Sequence, residues 1–149
     1  MVETGNLLID AQTAFARQRK QRRLHRASSW LRRRSAASRR LAALDDALGA
    51  SPPSRRRAAG LEAIPLESIV GTAEPTKARL FDRRFRAPES SRLRWERLWM
   101  ATRRGAPLPP ISVFRVGDEH FVDDGHHRVS VANALGRVAI DAEVTELAT

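Results

Sequence analysis

Phe121-Val122-Asp123-Asp124-Gly125-His126-His127-Arg128-Val129-Ser130-Val131-Ala132-Asn133-Ala134-Leu135-Gly136 reads as a strand that ends in a carboxylate pair, turns on a glycine and opens directly into a helix. Two imidazoles and a guanidinium stand in the first turn of that helix. Free backbone N–H groups and the positive end of the helix dipole converge there, which makes the turn an anion site. Arg128 adds a forked, charge-assisted donor to the same point. A phosphate-bearing ligand is the expectation.

On either side, the sequence alternates between short strands and helices. Ile111 to Val116 and His120 to Asp123 read as strands joined by the hairpin signal Gly117-Asp118-Glu119, and Val138 to Val144 as a last strand. Upstream, Ser91 to Arg104 has helical spacing and stops at Gly105. Leu93, Trp95, Leu98, Trp99 and Thr102 would face its core, with Arg92, Arg94, Arg97, Arg103 and Arg104 outward or at a rim. Thr76 to Phe85 is expected to hold a short helix, and Ile64 to Val70 a strand that turns at Gly71.

Charge divides the chain unevenly. Residues 1–57 carry 13 Arg and 1 Lys against 4 acidic residues, whereas residues 58–149 balance 13 basic with 13 acidic groups. The whole formal excess of +10 therefore lies in the first third. Codon bias explains why 25 Arg accompany only 2 Lys, but it does not explain their concentration at one end. Leu8, Ala11 and Phe15 share one helical face, and Leu41, Leu44 and Leu48 another. These stripes are too thin for an independent core, so two helices are expected, broken near Ala27-Ser28-Ser29 and packed on something else or partly disordered. Gly49 to Ser54 stops any helix, and Arg55-Arg56-Arg57 reads as linker. The expected organisation is a basic helical arm and linker over 1–57 and a compact domain over 58–149.

The lack of cysteine excludes disulfides, thiolate metal sites and cysteine catalysis, and fits a reducing compartment. No apolar run approaches the roughly 20 residues of a membrane span. Met1 to Asp10 lacks the basic start and apolar core of a secretory signal, and Glu3 and Asp10 speak against a transit peptide. A cytoplasmic location is expected, at the nucleoid if the arm binds DNA. Few large apolar anchors interrupt the basic stretch, so a membrane partner is not expected.

In this order the motifs resemble the ParB/sulfiredoxin superfamily. Gly125-His126-His127-Arg128 occupies the place of the Gly-Glu-Arg-Arg box of ParB-type proteins, and Leu135-Gly136 closes the helix that follows it. Ile64-Pro65-Leu66, Ile69-Val70, Glu74-Pro75, Arg79, Phe81-Asp82 and Leu108-Pro109-Pro110-Ile111 match features that precede the box in that family. The resemblance covers about residues 61–147 and implies an α+β domain, a small mixed sheet with surrounding helices, here preceded by the basic arm. It implies that Gly125, His126, His127 and Arg128, with Arg79, hold the phosphates of CTP, ATP or ADP together with Mg²⁺. The sulfiredoxin box carries a reactive cysteine where His126 stands, so that redox chemistry is excluded.

Two family activities remain as models. A partition protein reads its DNA site with a helix-turn-helix that follows the nucleotide domain. Only a few residues follow the last strand here, so nucleic acid would be met through the arm, by Arg22, Arg23, Arg32, Arg33, Arg34, Arg39, Arg40, Arg55, Arg56 and Arg57. The free serine kinases of the same fold have a box closer to Asp124-Gly125-His126-His127-Arg128. That likeness implies Asp124 near a metal or phosphate, His127 on phosphate, and Glu74 as base for a hydroxyl substrate, with Glu67 in reserve. Plainer readings stand beside these. The two histidines fit ordinary first-turn residues, and Trp95 and Trp99 fit core anchors. The arm arginines fit a solvated face, and the domain fits a non-catalytic interaction module. Direct metal binding by His120, Asp123, Asp124, His126 and His127 is disfavoured because strand alternation points them apart. The arm's thin apolar stripe also leaves room for pairing with a second copy, so a homodimer is among the expectations.

Overall fold

The computed structural model describes residues 3–31 and 40–148. Among these residues, five α-helices and six strands form an α+β fold of one mixed sheet with helices against it, as the sequence implies. In chain order these are α1 (Leu7–Leu31), β1 (Ala42–Ala43), α2 (Leu44–Leu48), β2 (Arg55–Pro65), β3 (Ile69–Thr72), α3 (Lys77–Leu80), α4 (Arg92–Arg103), β4 (Ile111–Val116), β5 (Glu119–Asp124), α5 (His126–Ala134) and β6 (Ala139–Ala148). The sheet order is β1-β3-β5-β4-β6-β2. β1, β3 and β5 run parallel, β5 and β4 form the expected hairpin, β4 runs parallel to β6, and β2 closes the far edge antiparallel to β6.

Strand alternation sorts the core. Ile111 and Val113 of β4, Val122 of β5, Ala142 and Val144 of β6 and Ile64 of β2 join one buried cluster, against which α1, α4 and α5 pack. On the opposite face Phe121 and Leu147 pack with Leu44 of α2. Trp95 and Trp99, one turn apart on α4, are fully buried core anchors. The indole Nε1 of Trp95 donates to Ser130 Oγ at 2.9 Å and ties α4 to α5. Leu93, expected inside, is 60 % exposed, because the buried stripe of α4 runs through Trp95, Glu96 and Trp99 instead.

The amino-terminal third differs from its expected form in three ways. First, α1 runs unbroken to Leu31, since Ala27-Ser28-Ser29 contains neither glycine nor proline to stop it. Second, α1 is part of the core: Ala11, Ala14 and Phe15 are buried, and Phe15 meets Trp95 edge-on at 5.4 Å. Third, Arg55-Arg56-Arg57 is not a linker. These residues begin β2 and pair with Ala148, Leu147 and Glu146 of β6, so a boundary at residue 57 cuts through a strand. Arginine is tolerated there because β2 is an edge strand with solvent beside it. Similarly, Leu41, Leu44 and Leu48 do not share one helical face: Leu41 joins the main core, while Leu44 and Leu48 pack with the opposite cluster.

Candidate functional site

The site is set by where parallel strands end. β3 and β5 are neighbours in parallel register, with Thr72 opposite Val122. Their carboxyl ends therefore present Thr72-Ala73-Glu74 and Asp124-Gly125-His126 side by side, at the edge where α/β sheets place ligands. Gly125 makes the strand-to-helix turn at φ +117°, in space that admits no side chain: a Cβ there would lie 2.3 Å from Ile111 Cγ2. The first intrahelical bond runs from the Val129 N–H to the Gly125 carbonyl, and no side chain caps the helix. The N–H groups of His126, His127 and Arg128 have no intrahelical acceptor, and these residues line a cavity of about 660 Å³.

Both imidazole rings are fixed by hydroxyls. His126 Nε2 lies 2.7 Å from Thr72 Oγ1, with its ring buried near Phe81 and Phe85. The ring of His126 thus faces inward and leaves only its backbone N–H to offer a ligand at this turn. His127 Nε2 lies 2.8 Å from Ser91 Oγ at the start of α4, and its ring meets Phe81 edge-on at 5.0 Å. Burial, with Lys77 and His127 adding repulsion against a smaller pull from Asp124, brings His126 down to about 4. Burial first, then Arg94 and Lys77, brings His127 to about 4 as well. Both rings are neutral at physiological pH.

Arg128 is held by three acceptors. Its guanidinium donates to the carbonyls of Pro109 and Pro110 and to Asp124 Oδ2 at 3.2 Å. The Asp124 side chain is itself 81 % exposed. Glu74 also lines the cavity, as do Asp123 and Asp124. Among the described residues, no group of three or more His, Asp or Glu side chains comes together as a metal cluster. Arg79 is exposed on α3 and does not line the cavity; Lys77 is the cation that α3 supplies. The sequence also gave no role to Arg94 and Arg97, which line the wall from α4 and are exposed. Their helical spacing had placed them at a rim, but not at the rim of this cavity. Thr72 and Ser91 left no signal, because both partners lie far along the chain.

No family model matches the chain, and no curated protein matches it. Solved structures of similar fold exist. The crystal structure of sulfiredoxin from Arabidopsis thaliana aligns at 23 % identity and a TM-score of 0.41, covering 56 % of this chain and 82 % of that one. No helix among the described residues is long and apolar enough to cross a membrane.

The arm residues scatter. Arg22 is buried and its Nη1 donates to the carbonyls of Leu80 at 2.8 Å and Arg86 at 3.1 Å, so it is a structural residue and not a phosphate contact. Arg23, Arg40, Arg55, Arg56 and Arg57 are exposed. Of these, Arg56 lies over the Phe114 ring and Arg57 pairs with Glu146. Arg32, Arg33, Arg34 and Arg39 lie outside the described residues.

The two neutral histidines give stability a pH dependence. Folded values near 4 lie below the ordinary 6.5, so the unfolded chain binds more protons between those limits. Their contribution is complete above about pH 6.5 and is lost as pH falls towards 4. For the fully buried His126 the loss is on the order of 2–3 kcal/mol. Urea unfolding should show it between neutral pH and about pH 4.5, and His126→Asn should flatten the curve. Stability that is constant over this range would contradict the assignment.

Proposed function

We propose that this chain is a nucleotide-binding protein of the ParB/sulfiredoxin type, which holds nucleotide phosphates at the amino end of α5 and meets nucleic acid through its basic surface. One observation carries the nucleotide reading. Lys77, Arg94, Arg97 and Arg128 line the same cavity as the uncapped first turn of α5, beside a glycine where a Cβ would clash with Ile111. An uncapped helix start with four surrounding cations suits a ligand bearing more than one phosphate. Asp123, Asp124 and Glu74 on the same wall suit the Mg²⁺ that accompanies CTP, ATP or ADP. Bound there, the metal would offset phosphate charge.

Calorimetry with CTP, ATP and ADP, each with Mg²⁺, tests this. Arg94 and Arg97 make no ion pair among the described residues and are exposed, so replacing either with alanine leaves the fold intact. Each substitution should weaken binding about 10-fold or more, the worth of a hydrogen bond to a charged group. Arg128→Ala should do at least as much. No heat with any nucleotide would remove this reading and leave a non-catalytic interaction module.

A second reading has its own support. Glu74 faces the same cavity as His127 and Arg128, where the base of a small-molecule phosphotransferase would stand. Transfer from ATP or ADP to free serine, or to a panel of hydroxyl metabolites, and its loss in Glu74→Gln, would establish that activity.

A further inference from the structure

A second cavity, of about 620 Å³, lies away from the amino end of α5, between α1, the turn after α3 and the far end of α5. Its walls carry Gln18 and Gln21 from α1, Arg83 and Arg84 from the turn, and Asn133 and Arg137 from the end of α5. The turn is built to present its arginines outward. Asp82, buried, accepts the N–H groups of Arg84 and Arg86 on Oδ1, at 3.0 and 2.8 Å. Phe85 takes φ +58°, unusual for a residue with a side chain, with its ring fully buried beneath the cavity. Arg86 turns back to pair with Asp82, while Arg83, Arg84 and Arg137 are exposed and make no ion pair among the described residues. A neighbouring cavity of about 640 Å³ shares Glu67, Ile69 and Arg83 with the first, but there Asp46 and Glu119 stand beside Arg40, so the cationic row ends at Arg83.

Arg83, Arg84 and Arg137 thus line one trough, beneath which Leu66, Ile69 and Phe85 are buried. A compact anion would be met by one focus of donors, as at α5. Exposed cations spread along a trough, with the exposed amides of Gln21 and Asn133 beside them, instead suit a chain of phosphates. Charge on the flank of α1 continues the path: Arg17 lies one turn before Gln21 on the same strip and is exposed. We infer that this trough is the path of a single-stranded nucleic acid, separate from the nucleotide site. The inference rests on the nucleic-acid part of the proposed function and names its surface.

The test uses the full chain with labelled single-stranded DNA and RNA of about 20 nucleotides, with inorganic phosphate and pyrophosphate as competitors. Binding is followed by fluorescence anisotropy at several salt concentrations. The triple variant Arg83→Ala, Arg84→Ala, Arg137→Ala should weaken binding about 10-fold or more and reduce the slope of log affinity against log salt by about 2, three contacts at about 0.7 each. Glu67→Gln removes the carboxylate on the shared wall and should tighten binding. Nucleotide affinity should be unchanged in both variants, and Arg128→Ala should leave strand binding unchanged. Binding by the parent chain that is indifferent to the triple substitution overturns the trough but keeps the nucleic-acid reading. Absence of strand binding by the parent overturns both. Displacement by phosphate or pyrophosphate as effective as by unlabelled strand overturns the trough in favour of a small-anion site.

Discussion

Replacing Gly125 with alanine should destabilise the protein by about 2–6 kcal/mol, and the nucleotide binding proposed for this turn should be lost in whatever fraction stays folded. Two costs combine. At φ +117° a residue with a Cβ is strained by about 1–3 kcal/mol. The new methyl would also stand 2.3 Å from Cγ2 and 2.8 Å from Cβ of Ile111, which is fully buried in the middle of the sheet. Relieving that clash means moving β4 or lifting the start of α5, for about 1–3 kcal/mol more. Gly136 supplies the control. It too has positive φ, at +70°, but nothing lies within 4 Å of a Cβ there. Gly136→Ala should therefore cost only about 1 kcal/mol, the conformational share alone. Urea denaturation of both variants measures the difference. Equal losses would mean that β4 yields, and that the close approach at Gly125 is not what the site requires.

The two glycines also mark what is local and what is not. Gly136 ends a helix and is legible from its place after Leu135, as Gly105 is after α4 and Gly117 is in the β4–β5 hairpin. Strand β5, the turn and helix α5 follow from spacing within one stretch of about fifteen residues. The wall of the site does not. Thr72 reaches His126 because β3 lies parallel beside β5, and nothing near either residue states that pairing. Lys77, Arg94 and Arg97 look like any solvated cation until α3 and α4 are placed. Arg79 occupies the motif position, but on so short a helix two residues turn a side chain to another side, and it is Lys77 that lines the cavity. The same holds for Arg55-Arg56-Arg57. After Pro52-Pro53 a triple arginine reads as linker, and only the carboxyl end of the chain, through Glu146 to Ala148, turns it into a strand.

Phe15→Ala should cost about 3–5 kcal/mol, and Arg22→Ala about 2–3 kcal/mol, although both lie in the segment with the charge profile of a detachable arm. Phe15 is 3 % exposed and packs edge-on against Trp95, itself fully buried, so truncation opens a void between α1 and α4 that the tryptophan cannot fill without leaving Ser130. Arg22 acts through different chemistry. Its guanidinium, 4 % exposed, answers the carbonyls of Leu80 and Arg86, 58 and 64 residues away, at the two ends of the turn that carries Arg83 and Arg84. Alanine leaves the Leu80 carbonyl without this donor and the Arg86 carbonyl with only the Asp82 N–H at 3.4 Å, and frees the turn from the helix. Gln18 repeats the link one turn earlier, accepting the Ala87 N–H at 2.8 Å and donating to the Ala87 carbonyl. Thermal and urea unfolding of Phe15→Ala, Arg22→Ala and the exposed Arg23→Ala separates the two kinds of arm residue. The first two should lose stability and Arg23→Ala almost none. If Arg22→Ala were as stable as Arg23→Ala, α1 would not be clamped to the turn. Loss of strand binding on deleting residues 1–57 could then be read as loss of contacts. With the clamp in place, such a deletion removes core helix, edge strand and trough wall together, so single charge substitutions are the valid probe of what the arm binds.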